Sequence, residues 1–256
     1  MALIKTSNPA LSENTFRDLA SSQYGGVTDL TARMTLEGTV NKTGILLVCA
    51  LATALYTWSL FLSTRDPASV ALPILIGAFG GLIVALVTCF KKEWSPVTAP
   101  IYALLEGLFL GGVSAMAEVR FPGIAIQSVG LTFGTCFCML AAYRSGLLRA
   151  SPKFVVGVVA ATGGICLFYF LSMLLGFFGI GVPGVFGGGP VGILFSLVVV
   201  VIAALNLILD FNFIEQGAEQ GAPKYMEWYG AFGLMVTLVW LYLEILRLLS
   251  KLRGRR

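Results

Sequence analysis

The chain contains no histidine. That absence removes Ser-His-Asp and Cys-His triads, histidine metal sites and a histidine-based pH switch, so proton chemistry falls to carboxylates. Charge is scarce as well: 12% of residues are Asp, Glu, Lys or Arg, against about 25% in an ordinary soluble domain. The five cysteines lie in or at the ends of apolar blocks, and Cys136-Phe137-Cys138 is not a CxxC motif. They read as small packing residues, not as a redox or metal set. There is no GxSxG or paired GxGD arrangement, which disfavours an intramembrane protease. No lysine falls mid-block, which disfavours a retinal Schiff base. The glycine-rich stretches GFFGIGVPG and GVFGGGPVG have no following lysine and are not phosphate loops. No nucleophile–base set is visible, so an enzyme is the least supported class. No cofactor and no nucleic-acid partner is expected.

What the chain does have is apolar residues, 57% of its 256. They come in blocks of roughly 18 to 25, enough to cross a bilayer core of about 30 Å at about 1.5 Å per residue. The blocks do not alternate as barrel strands would. The expectation is an all-α membrane protein, a seven-transmembrane-helix bundle. The spans fall near 44–63, 68–90, 97–117, 123–143, 154–178, 191–212 and 229–249. Residues 1–42 read as a polar cytoplasmic tail, much of it mobile and without the apolar core of a signal peptide. Residues 43–250 form the transmembrane domain and residues 251–256 a basic tail. The stretch 176–190 reads as an apolar loop and 215–227 as a polar one.

Basic residues give the orientation. The tail holds Lys5, Arg17, Arg33 and Lys42; the second connection holds Lys91 and Lys92; the fourth holds Arg144, Arg149 and Lys153. The alternate connections hold Arg65, Arg120 and none. The N-terminus is therefore expected in the cytoplasm. Seven full spans put the C-terminus outside, yet it carries Lys251, Arg253, Arg255 and Arg256. Either one late span does not cross, or the early loops set the topology and the tail follows.

Three carboxylates fall within or at the edge of the spans: Glu106, Asp210 and Glu244. A charged group facing lipid at mid-bilayer costs about 2.5–3.5 kcal/mol or more, so such groups face the bundle interior. In the stretch LNLILDFNFIEQG, Asp210 follows Asn206 by one turn and shares its helix face. An Asn can hydrogen-bond the acid in either protonation state; equally, Asp210 could cap the cytoplasmic end of the helix. Glu244 has Arg247 three residues on and Lys251 seven on, which also fits a local i,i+3 ion pair with a snorkelling base. Glu106 sits about ten residues into the third span, followed by Gly107, Gly111 and Gly112, a face suited to close helix approach.

The phrases MTLEGTVNKTGILL, IYALLEGLFLGG, LILDFNFI and LYLEILRLL, in this order across seven spans, carry a resemblance. The chain resembles the Bax inhibitor (transmembrane BAX inhibitor motif) family over about residues 35–250, most closely its bacterial YccA-like branch. The resemblance implies a bundle with the last helix central, enclosed by the other six. It implies a proton-sensitive calcium leak and a location in the bacterial inner (plasma) membrane. It further implies a proton-sharing pair of acids on the sixth and seventh helices. Asp210 matches the sixth-helix acid. Matching on Tyr-Leu-acid makes Glu244 its partner, whereas matching on the helix end places Thr237 opposite. A basic residue at the end of the second helix pairs with the acids in some members, and Lys91 and Lys92 are nearest here. A calcium ion in transit prefers several oxygen ligands; Asp210, Asn206 and Glu106 or Glu244 are the candidates.

Three functions follow. One is a pH-sensitive calcium leak in which protonation biases a two-state bundle. Another is a secondary transporter coupling protons to a small solute. The third is a non-transporting regulator that binds another membrane protein or a protease.

Overall fold

A computed structural model describes residues 33–179 and 184–255. Among these residues the chain is helical, without strands. The helices are α1 (Leu36–Thr64), α2 (Pro67–Phe90), α3 (Ser95–Arg120), α4 (Ile124–Arg144), α5 (Pro152–Phe177), α6 (Pro190–Glu219) and α7 (Met226–Arg253). A short 3-10 turn, Lys92–Trp94, precedes α3. All seven helices are long and apolar enough to cross a membrane.

The boundaries follow local chemistry. Thr35 caps α1, its Oγ1 accepting from Gly38 N at 3.0 Å. Asp66 caps α2 with a 2.9 Å bond from Ala68 N, and Ser151 caps α5 by accepting from Phe154 N at 3.3 Å. Pro67, Pro152 and Pro190 each open a helix, where a missing N–H costs nothing. The Glu118 carboxylate reaches across the α3–α4 turn and accepts from Gly123 N and Ala125 N.

Three boundaries differ from the sequence expectation. Helix α1 begins at Leu36, inside the expected tail; of that tail, residues 1–32 lie outside the described residues. Helix α6 runs on to Glu219, so the expected polar loop 215–227 shrinks to residues 220–225. Helix α7 spans Met226–Arg253 and takes in Lys251 and Arg253 of the expected basic tail. Hydropathy marks where lipid ends. A helix continues past that point if its end turns find polar partners, and here they do.

Lipid provides no hydrophobic drive between helices, so close backbone approach must hold them. Gly107 and Gly111 of α3 lie against Ala50 O and Ala54 O of α1, and Gly77 of α2 lies against Leu105 O of α3. Thr53 Oγ1 of α1 adds a 2.8 Å bond to Leu104 O. Helix α7 is the most enclosed, with sixteen buried residues against four in α2 and three in α5. Its main packing partners are α6, α1, α4 and α3. Outward faces carry large apolar groups such as Phe79, Leu82, Phe90 and Phe177.

Contacts between connections fix the two ends. Arg33 bridges to Pro223, Met34 N donates to Ala222 O at 2.7 Å, and Ser95 Oγ donates to Tyr225 O at 3.0 Å. The N-terminal segment thus shares one end, here the near end, with the α2–α3 and α6–α7 connections. At the far end, Lys251 Nζ donates to Val185 O, Gly192 O and Ser196 Oγ, and Arg253 donates to Pro122 O and Gln127. The end of α7 therefore lies opposite the start of α1. Lys251 and Arg253, two of the four basic residues of the tail, are held by protein oxygens.

Candidate ion pathway: the buried carboxylates

Helix α6 carries Asp210 nine residues before its end at Glu219, about 14 Å along the axis. Asp210 is therefore not a helix cap. It is 4% exposed and lies among α4, α6 and α7 beside a cluster that includes Leu207, Phe211, Leu238 and Leu241. Cys136 of α4 is a near neighbour. The side chain that faces the carboxyl is Thr237 of α7, whose Oγ1 is also 3.4 Å from its own Gly233 O. Asp210 Oδ2 has no hydrogen-bond partner among the described residues. Such an atom ordinarily costs about 1–3 kcal/mol.

Glu244 is not the partner. It lies seven residues beyond Thr237 on α7, about 10 Å along the axis. Arg247 Nη1 holds its two oxygens at 2.9 and 3.1 Å, and Tyr169 of α5 donates to it at 3.1 Å. The local i,i+3 ion pair is what forms, with Arg247 also over the Tyr169 ring. The expected two-acid pair, and with it the Asp210–Glu244 calcium site, is not assembled. Of the two alignments of the last helix, the geometry follows the one that sets Thr237 opposite Asp210.

Asn206 also departs from expectation. It shares the α6 face with Asp210, yet its Nδ2 donates to Thr162 Oγ1 of α5 and to Ile202 O, both at 2.8 Å. A single turn of helix leaves room for the two side chains to diverge toward different neighbours. Glu106 turns to α2: its carboxylate approaches Gly81, and it interacts with Tyr102 one turn earlier. Gly81 leaves the space that Glu106 fills. Lys92 Nζ lies 5.8 Å from the centroid of the Tyr229 ring, and Lys91 is exposed at the end of α2. Among the described residues, no three Cys, Asp or Glu side chains cluster as a metal site would.

A second polar centre escaped the sequence. Glu227, in the first turn of α7, is fully buried and accepts from Thr35 N at 2.9 Å and Thr35 Oγ1 at 2.8 Å. It pairs with Lys42 of α1 and, at 3.0 Å, with Lys224. Lys42 lies 5.5 Å from the Trp228 ring centroid as well. One carboxylate thereby joins the N-terminal segment, α1 and α7. Its signal in the sequence was only a Glu at a helix start.

Seven apolar helices, packed by glycine and holding a buried, underbonded carboxyl, define a polytopic membrane protein with an acid set in its core. The model of the family described as Bax inhibitor 1 like matches residues 8–254, and the chain belongs to that family. The chain matches no curated protein and no solved structure.

Proposed function

We propose that the protein is a cation leak pathway, with calcium as the cargo, gated by the protonation state of Asp210. The supporting observation is the underbonded Asp210 carboxyl between α4, α6 and α7. A carboxylate in that position lacks what a proton or a passing cation brings. When protonated, Asp210 is a neutral group in an apolar cluster and attracts no cation. When ionised, it becomes an uncompensated anion, which favours a rearranged bundle and draws in a divalent ion. Calcium takes about six to eight oxygen ligands in a resident site. Asp210 and the Thr237 hydroxyl offer far fewer, a donor set suited to a passing ion and too poor to store one.

The partner matters to the titration. Two carboxyls sharing a proton titrate as a coupled unit. An acid facing a hydroxyl titrates alone, so the pH dependence of flux should follow a single proton. The near end carries Arg33, Lys42, Lys91, Lys92, Arg144, Arg149, Lys153 and Lys224. In and beside the connections, six of these face only Arg65 and Arg120 at the far end, which supports a cytoplasmic N-terminus.

The test is calcium flux into liposomes holding the purified chain, with pH varied from about 5 to about 8. Wild-type flux should change with pH as a one-proton curve, and Asp210→Asn should abolish the change. Flux that is unaltered by Asp210→Asn at every pH rules the mechanism out. Flux that requires a co-substrate gradient instead identifies a coupled transporter.

A further inference from the structure

A cavity of about 560 Å³ opens at the near end, between the last turn of α4, the α4–α5 connection and the last turns of α6. Arg144 and Arg149 line it, with Ser151, Asn212, Tyr143 and Glu215. Neither arginine makes an ion pair among the described residues. Gly146, two residues past the end of α4, sits at φ 74, and the Arg149 guanidinium folds back over that glycine, where a Cβ would meet it at 3.2 Å. The turn thus brings two guanidinium groups, five residues apart in sequence, to one opening.

The neutral groups have donors to spare. Ser151 Oγ accepts from Phe154 N, which leaves its O–H free to donate. Asn212 Oδ1 accepts from Gln216 at 3.3 Å, which leaves its NH₂ group. Tyr143 spends its hydrogen on Glu215. The Glu215 carboxylate is the one group in the lining that opposes an anion.

We propose that this cavity binds a phosphate ester anion, with Arg144 and Arg149 holding its oxygens and Ser151 and Asn212 adding neutral donors. Arg forks match phosphate oxygens in geometry as well as in charge. Two sources share this chemistry: the headgroup of an anionic lipid, and soluble phosphate. Leu147, on the same connection, is 81% exposed, which places an apolar side chain beside the opening at the membrane boundary and favours the lipid. The proposal does not rest on the cation pathway.

The test uses the detergent-purified full chain and two probes, dioctanoyl phosphatidylglycerol and inorganic phosphate, with bound ligand read by native mass spectrometry and calorimetry. Each arginine near an anionic headgroup contributes about fivefold in affinity, so R144Q/R149Q is expected to bind about 25-fold more weakly. Glu215→Gln removes the opposing charge and is expected to bind more tightly, an effect that a merely structural residue would not produce. Saturation by the lipid alone assigns the headgroup; saturation by inorganic phosphate, with the same sensitivity to the arginines, assigns a soluble anion. The proposal is overturned if neither probe saturates, if R144Q/R149Q binds like wild type, or if Glu215→Gln weakens binding. Both arginines are exposed, and the variants' helix content and thermal unfolding check that the fold is intact.

Discussion

Replacing Asp210 with leucine should make the protein more stable and less functional. Leucine has the same branched skeleton as aspartate, so the change swaps two oxygens for two methyl groups in nearly the same place. The wild-type side chain is 4% exposed and leaves Oδ2 without a partner. Removing an orphaned buried acceptor recovers about 1–3 kcal/mol. No donor is stranded in exchange, because Thr237 Oγ1 has Gly233 O within 3.4 Å. The neighbours Leu207, Phe211, Leu238 and Leu241 are apolar and suit a methyl-bearing group. For a chain of this size each kcal/mol moves Tm by about 2–4 °C. Asp210→Leu is thus expected to melt several degrees above wild type in the same detergent and, on the proposed function, to lose the pH dependence of calcium flux. Asp210→Asn keeps a polar group in place and should lie within about 1 kcal/mol of wild type. A leucine variant that melts at or below the wild-type temperature refutes the reasoning: the carboxyl would then be contributing to the fold.

Other outcomes follow from the packing. Gly107→Ala forces a Cβ against Thr53 Oγ1 and Ala50 O, which should cost about 1–3 kcal/mol or more in thermal unfolding. Gly134→Ala meets nothing within 4 Å and should be neutral or stabilising by up to about 1 kcal/mol. Glu227→Ala removes the acceptor of Thr35, Lys42 and Lys224 at once. It should destabilise by about 3 kcal/mol and speed hydrogen exchange at Met34 and Thr35. Lys224→Ala touches only the half-exposed member of that group and should cost no more than about 1 kcal/mol.

The spans were legible because lipid imposes one demand on every residue of a block. Length and hydropathy therefore located all seven helices, and the glycines after Glu106 announced the α3 packing face. Helix ends were less legible. Glu215 and Glu219 look like loop in a hydropathy reading, yet α6 continues through them, with Glu215 held by Tyr143 and Gln216 by Asn212. Side-chain direction was hidden too. A period of about 3.6 places Asn206 and Asp210 on one face but does not say that Thr162 draws the amide away. The choice between Thr237 and Glu244 depended on register, and no local pattern fixes the register of two helices across a bundle. Glu227 was least visible of all, since three of its four donors come from Thr35 and Lys42, nearly two hundred residues away in sequence.

The two clusters at the ends of α7 have a mechanical consequence. At the near end Glu227 fastens this helix to Thr35 and to α1. At the far end Lys251 and Arg253 fasten it to the α5–α6 and α3–α4 connections. A rod bolted at both ends is neither a piston nor a lever. It behaves as a fixed axle, and Thr237 is carried on it as a stationary wall facing Asp210. On the proposed function, displacement that opens a route past the acid then falls to an outer helix, and α5, which buries only three residues, has the least to break when it moves.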